Sequence, residues 1–125
     1  MNRILLISGA LFGLLTVIIG AFGAHAFQDI LIENERVDTF ETGVKYQAMH
    51  SLLLIIMGML ADKINNRKII YAGYSIIAGI IVFSGSLYIL SLTNLTFLGA
   101  ITPLGGLLFI IGWIMLLYSF WKMKE

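Results

Sequence analysis

The 125-residue chain has no cysteine, one proline (Pro103) and few charges, which make up 12% of its residues. Without cysteine there is no disulfide framework, no thiolate chemistry and no mark of redox compartment. Soluble domains carry about 25% charged residues. The shortage of charge, set against 59% hydrophobic residues, excludes a soluble globular enzyme, a nucleic-acid binder and a disordered tail. A net charge of +1 implies no attraction to nucleic acid or acidic substrates. No Walker loop, dinucleotide fingerprint or nucleophile elbow occurs. His25, His50 and Glu41 can be drawn as a zinc set, but they lack close ligand spacing and a fourth ligand. The expectation is therefore a non-enzyme with no catalytic residues, no metal and no cofactor.

What the chain does have is hydrophobic length. Apolar runs cover residues 4–26, 44–61, 69–92 and 97–121, and Lys45 is the one charge inside them. Each is long enough to cross a hydrocarbon layer of about 30 Å at about 1.5 Å per residue. In lipid every backbone donor and acceptor needs an internal partner, so the runs must be helices despite their many β-branched residues. The expected fold is all-α: residues 1–125 form a single integral membrane domain, a four-transmembrane-helix bundle.

The connections differ in charge. Residues 28–42 contain Asp29, Glu33, Glu35, Asp38 and Glu41 against a single Arg36. The apolar Phe27, Ile30, Leu31, Val37 and Phe40 recur there at helical spacing. This pattern predicts a short interfacial amphipathic helix between helices 1 and 2, with a solvated loop as the alternative. Residues 93–96 are uncharged and predict a tight turn.

Four spans put both termini and the second connection on one side. That side holds six basic residues, Arg3, Lys63, Arg67, Lys68, Lys122 and Lys124, and the other holds two, Arg36 and Lys45. The asymmetry predicts a multi-pass protein of the bacterial plasma (inner) membrane with both termini cytoplasmic. Arg3, an apolar run and Ala24-His25-Ala26 imitate a secretory signal peptide, but the run exceeds the usual ~7–15 residues of a signal core.

Glycine is spent inside the apolar runs, where it permits close helix approach. Gly9, Gly13 and Gly20 line the first run, Gly79 lies in the third, and Gly105 and Gly112 lie in the fourth. Packing within one bundle is the favoured use of these stripes, and a homo-oligomer face is the alternative. Pro103 removes a backbone donor opposite the carbonyl of Gly99, which predicts a kink or local opening.

The polar side chains cluster toward the end of the bundle opposite the termini. His50 lies six residues into the second run, with Tyr46 and Gln47 on the same helical face. Ser84 and Ser86 of the third run, Thr102 and Pro103 of the fourth and His25 of the first are placed toward the same end. Together these residues make either a polar pocket centred on His50 or interhelical glue worth ~0.6 kcal/mol per hydrogen bond.

Several motifs, one or more per helix, resemble those of the YgdD/YwdK family of small bacterial inner-membrane proteins. They are Gly20-Ala-Phe-Gly-Ala-His-Ala26, Tyr46-Gln-x-x-His50, Phe83-Ser-Gly-Ser-Leu-Tyr88, Ile101-Thr-Pro-x-Gly-Gly106 and Gly112-Trp113. Phe40 stands where that family often has tryptophan. The resemblance implies four transmembrane helices in the plasma membrane and no known activity. The expected function is binding of a lipid or small amphiphile in an outer-leaflet polar pocket, with membrane lipids as partners, no nucleic acid and a possible homo-oligomer. The alternative is an oligomeric small-molecule or ion transporter or channel centred on His50 and Pro103. A membrane enzyme built on His50 ranks behind both.

Overall fold

The structure is a computed structural model that describes residues 1–64 and 67–123. Four helical rods, Arg3–Ala26, Val37–Leu60, Lys68–Thr93 and Leu98–Trp121, are long and apolar enough to cross a membrane. The first rod comprises α1 (Arg3–Val17), a π-helical turn (Ile18–Gly23) and the single turn α2 (Ala24–Ala26). Next come the short α3 (Gln28–Glu33) and the long α4 (Val37–Leu60). The third rod is α5 (Lys68–Gly79), a second π-helical turn (Ile80–Ser84) and α6 (Gly85–Thr93). The fourth is α7 (Leu98–Trp121). The side chain of Asn2 caps α1 by accepting from the Leu5 N–H at 3.1 Å.

The expected short helix between the first two rods is present as α3, with a narrower extent. The amphipathic helix predicted over 28–42 is divided: α3 covers its first part, and Val37–Thr42 forms the opening turns of α4. The division falls at Glu35, whose φ of 56° stops helix propagation. The second rod therefore starts seven residues earlier than residue 44, at Val37. Asp38, Glu41 and Lys45 lower its hydropathy without breaking its helical backbone. Pro103, in turn, does not open α7, which runs as one helix from Leu98 to Trp121. It lies in the second turn, where its missing N–H removes one helical donor, to the Gly99 carbonyl, and the helix continues on both sides. The local departures from α-geometry lie instead in the first and third rods.

In the bundle α1 lies along α4 and α5 lies along α7. Glycines set the closeness of these pairings. A Cβ on Gly9 would sit 2.8 Å from the Ser51 carbonyl oxygen on α4. A Cβ on Gly105 would sit 2.4 Å from the Phe83 backbone nitrogen, where the second π-helical turn meets α7. Positions 20, 79 and 112 face Val44, Phe109 and Ile76 in the same way, and Gly13 faces the Ser51 hydroxyl. The predicted small residues thus each point at another helix of the same chain. The core joins Leu5, Leu54, Met57, Ile69, Ile76 and Phe109 of four helices.

The N-terminus and the last turn of α7 lie at one end of the bundle. There the N-terminal ammonium of Met1 pairs with Asp62, and the Asn2 N–H donates to the Gly58 carbonyl at 2.8 Å. At the opposite end, the Asn34 amide donates to the Ser91 carbonyl at 3.0 Å and Arg36 Nε donates to Asn94 Oδ1 at 3.2 Å. Asn94 adopts the left-handed conformation that ends α6.

Candidate functional site

His50 is 1% exposed and sits at the fourteenth of the 24 positions of α4, close to mid-helix. Its ring lies flat on Phe109 of α7, with centroids 3.7 Å apart and planes 8° apart. Both ring nitrogens are engaged. Nδ1 is 2.7 Å from the Tyr46 carbonyl, and the Trp113 indole N–H donates to Nε2 at 3.1 Å. A carbonyl only accepts and an indole N–H only donates. The ring is therefore the neutral tautomer with its proton on Nδ1. Tyr46 and Phe83 complete the aromatic cluster, with centroids 4.7 Å apart.

One turn earlier on α4, Gln47 links three rods. Its Nε2 donates to the Phe12 carbonyl at 3.0 Å, and its Oε1 accepts from the Tyr88 hydroxyl at 2.6 Å. Ser84 donates to the Gly43 carbonyl at 2.7 Å, so the second π-helical turn is tied to α4. Ser86 and Thr102 share a hydrogen bond of 2.6 Å between α6 and α7.

The predicted polar residues are therefore brought together as two linked layers rather than at one depth. His50 and Trp113 meet near mid-helix, while Gln47, Tyr88, Ser84, Ser86 and Thr102 lie nearer the first connection. No buried side-chain nitrogen or oxygen among the described residues lacks a partner. This is the geometry of interhelical hydrogen bonding. Pro103 belongs to this end of α7 but contributes no side-chain hydrogen bond. Trp113 and Phe109 were missed as partners of His50. Their four-residue spacing, which continues to Gly105, places them on one face of α7 and was the available signal.

His25 stands apart from this network. It lines an open cleft of about 340 Å³ with Gln28, Glu41, Phe40, Leu31 and Ala21. On the other side of the first rod, a cleft of about 400 Å³ is walled by Ile18, Phe22, Phe27, Phe40, Tyr88 and Leu92. Phe40, itself 2% exposed, contributes to both clefts. Gly23, at the end of the π-helical turn, faces Phe40 between the two clefts. A Cβ at Gly23 would find Phe40 at an ordinary 3.7 Å. Among the described residues, no three His, Asp or Glu side chains gather into a metal-binding group.

The family model described as "Protein of unknown function (DUF423)" matches residues 19–106. The UPF0382 membrane protein YwdK of Bacillus subtilis is 47% identical over 118 residues, 94% of this chain and 95% of that protein. The UPF0382 membrane protein SAB0533 of Staphylococcus aureus is 46% identical over 120 residues, 96% of this chain and 97% of the relative. A UPF0382 membrane protein of Staphylococcus epidermidis is 41% identical over 117 residues, 94% of each chain. No solved structure matches the chain.

Proposed function

Since the chain belongs to the family of membrane proteins described as protein of unknown function (DUF423), which assigns no activity, we propose that it binds a lipid or small amphiphile where the first rod meets Phe40. The observation that supports this reading is the pair of clefts on either side of that rod. One offers an apolar wall from Ile18 to Leu92, and the other adds His25, Gln28 and Glu41. The two clefts share Phe40 as a wall, so an apolar place and a polar place adjoin there, and clefts of a few hundred Å³ suit a ligand of that size. The His50 network then serves as the rigid floor that holds α4 and α7 while the first rod stays accessible. The excess of Lys and Arg at the end carrying the termini favours placing that end in the cytoplasm of a plasma-membrane protein. The ligand would then enter from the outer leaflet.

The test is the set of lipids that co-purifies with the full chain, read by mass spectrometry. Ala26→Trp would fill the apolar cleft from an exposed position. It should deplete a specific amphiphile while leaving helicity and monodispersity intact. An unchanged lipid complement in a folded Ala26→Trp variant would remove the proposal.

A further inference from the structure

The clefts that meet at Phe40 differ in chemistry and in depth. The apolar one is walled by Ile18, Ile19 and Phe22 of the first rod, and no charged residue lies on it. Ile18 and Ile19 lie about two helical turns deeper along that rod than His25. His25, in the last turn of the rod, belongs to the wall of the polar cleft. The polar cleft is therefore nearer the membrane surface, and the apolar cleft reaches toward the middle of the bundle.

The polar wall draws on three elements: His25 from α2, Gln28 from α3 and Glu41 from the second turn of α4. Each of these side chains can accept a hydrogen bond, through a carboxylate, an amide oxygen or the bare nitrogen of a neutral imidazole. Glu41 supplies the wall's one carboxylate, and neither Lys nor Arg lies on it. Of the basic residues at this end, Arg36 donates to Asn94, and Lys45 stands off the wall. A primary ammonium group brings positive charge and N–H donors together, and its hydrogen bonds to a carboxylate are of the strong, charge-assisted kind. An anionic headgroup would meet Glu41 as a like charge. A trimethylated ammonium would bring the charge without a donor and leave the acceptors unpaired. Resting on the amphiphile reading of these clefts, we propose that the amphiphile held here carries a primary ammonium group. That group sits among His25, Gln28 and Glu41, and an acyl chain passes Phe40 toward Ile18 and Phe22.

The experiment is native mass spectrometry of the purified full chain given equal amounts of dioleoyl phosphatidylethanolamine and dioleoyl phosphatidylcholine. These probes differ only in methylation of the nitrogen. The unmodified chain should retain the ethanolamine lipid about fivefold over the choline lipid, the effect of a single hydrogen bond. Glu41→Gln should abolish the preference while the apolar cleft still retains both lipids. Glu33→Gln removes the same charge from an exposed position off the wall and should leave the preference intact. Ala26→Trp should deplete both lipids alike. Unchanged retention of both in Ala26→Trp would remove the amphiphile reading and this proposal with it. Retention that is sensitive to Ala26→Trp but does not discriminate between the lipids would overturn the headgroup assignment alone. Equal losses of preference in Glu33→Gln and Glu41→Gln would also overturn it, because diffuse surface charge would then be the cause.

Discussion

The Trp113 indole N–H donates to His50 Nε2 at 3.1 Å, which ties α7 to α4 across 63 residues of chain. Because Nδ1–H donates to the Tyr46 carbonyl, the imidazole is held in one tautomer by two helices and lies flat against a third group, Phe109. The three contacts restrict the ring in direction, tilt and rotation. Such a residue registers two helices along their length, and its loss is felt as stability.

Trp113→Phe keeps the aromatic bulk but strands the buried Nε2. It should lower stability by about 1 kcal/mol. His50→Ala loses both hydrogen bonds and the stack, and it leaves a hole beside Phe109. Its cost should reach about 2–4 kcal/mol. His25→Ala, on an exposed turn, should leave stability unchanged. Thermal unfolding in detergent ranks the three variants, and equal effects of His50→Ala and His25→Ala would refute the role given to the ring.

Gln47 spans three rods through Phe12 and Tyr88. Gln47→Leu and Tyr88→Phe each remove one side of the 2.6 Å hydrogen bond. In a double-mutant cycle the two changes should be non-additive by about 0.5–1.5 kcal/mol. Additive losses would mean that the hydrogen bond contributes nothing beyond the packing of the two side chains.

Gly105 and Gly99 share α7 but not its constraints. A methyl group on Gly105 would meet the Phe83 backbone at 2.4–2.6 Å, and backbone cannot swing aside as a side chain can. Gly105→Ala should therefore cost about 1–3 kcal/mol by overpacking the seam between the third and fourth rods. At Gly99 nothing lies within 4 Å, so Gly99→Ala should show no loss. Detergent unfolding of both variants is the check, and a tolerant Gly105 would mean that the π-helical turn at Phe83 can slide.

The four rods were legible because hydropathy reports which solvent surrounds a segment, and residues 4–26 or 97–121 leave only one choice. Hydropathy does not report backbone continuity. Asp38, Glu41 and Lys45 made residues 37–43 look like a connection, although nothing in them interrupts a helix. That shift of seven residues moved His50 from near the end of its span to near the middle of α4. Its partner from α7 became Trp113 rather than Thr102. The π-helical turns left no distinctive mark, since glycine and serine are scattered through every rod. Pro103 left a strong mark, but the loss of one backbone hydrogen bond does not interrupt a helix that runs on past it to Trp121. His25 was grouped with His50 by depth alone. Its separation depended on the direction in which the end of the first rod leaves the bundle, which no residue spacing records.

The absence of cysteine makes orientation directly measurable, since one introduced thiol is the only thiol present. Glu35 lies in the turn between α3 and α4, and Lys63 follows α4 at the end that carries Met1 and Asp62. Both side chains are exposed on the connections they occupy. Six basic residues on the Lys63 side against two on the Glu35 side favour retention of the Lys63 side in the cytoplasm, where basic loops resist translocation. In intact cells a membrane-impermeant maleimide should label Glu35→Cys and should reach Lys63→Cys only after permeabilisation. The reverse pattern would put the termini outside. It would also move the clefts around Phe40 to the inner leaflet.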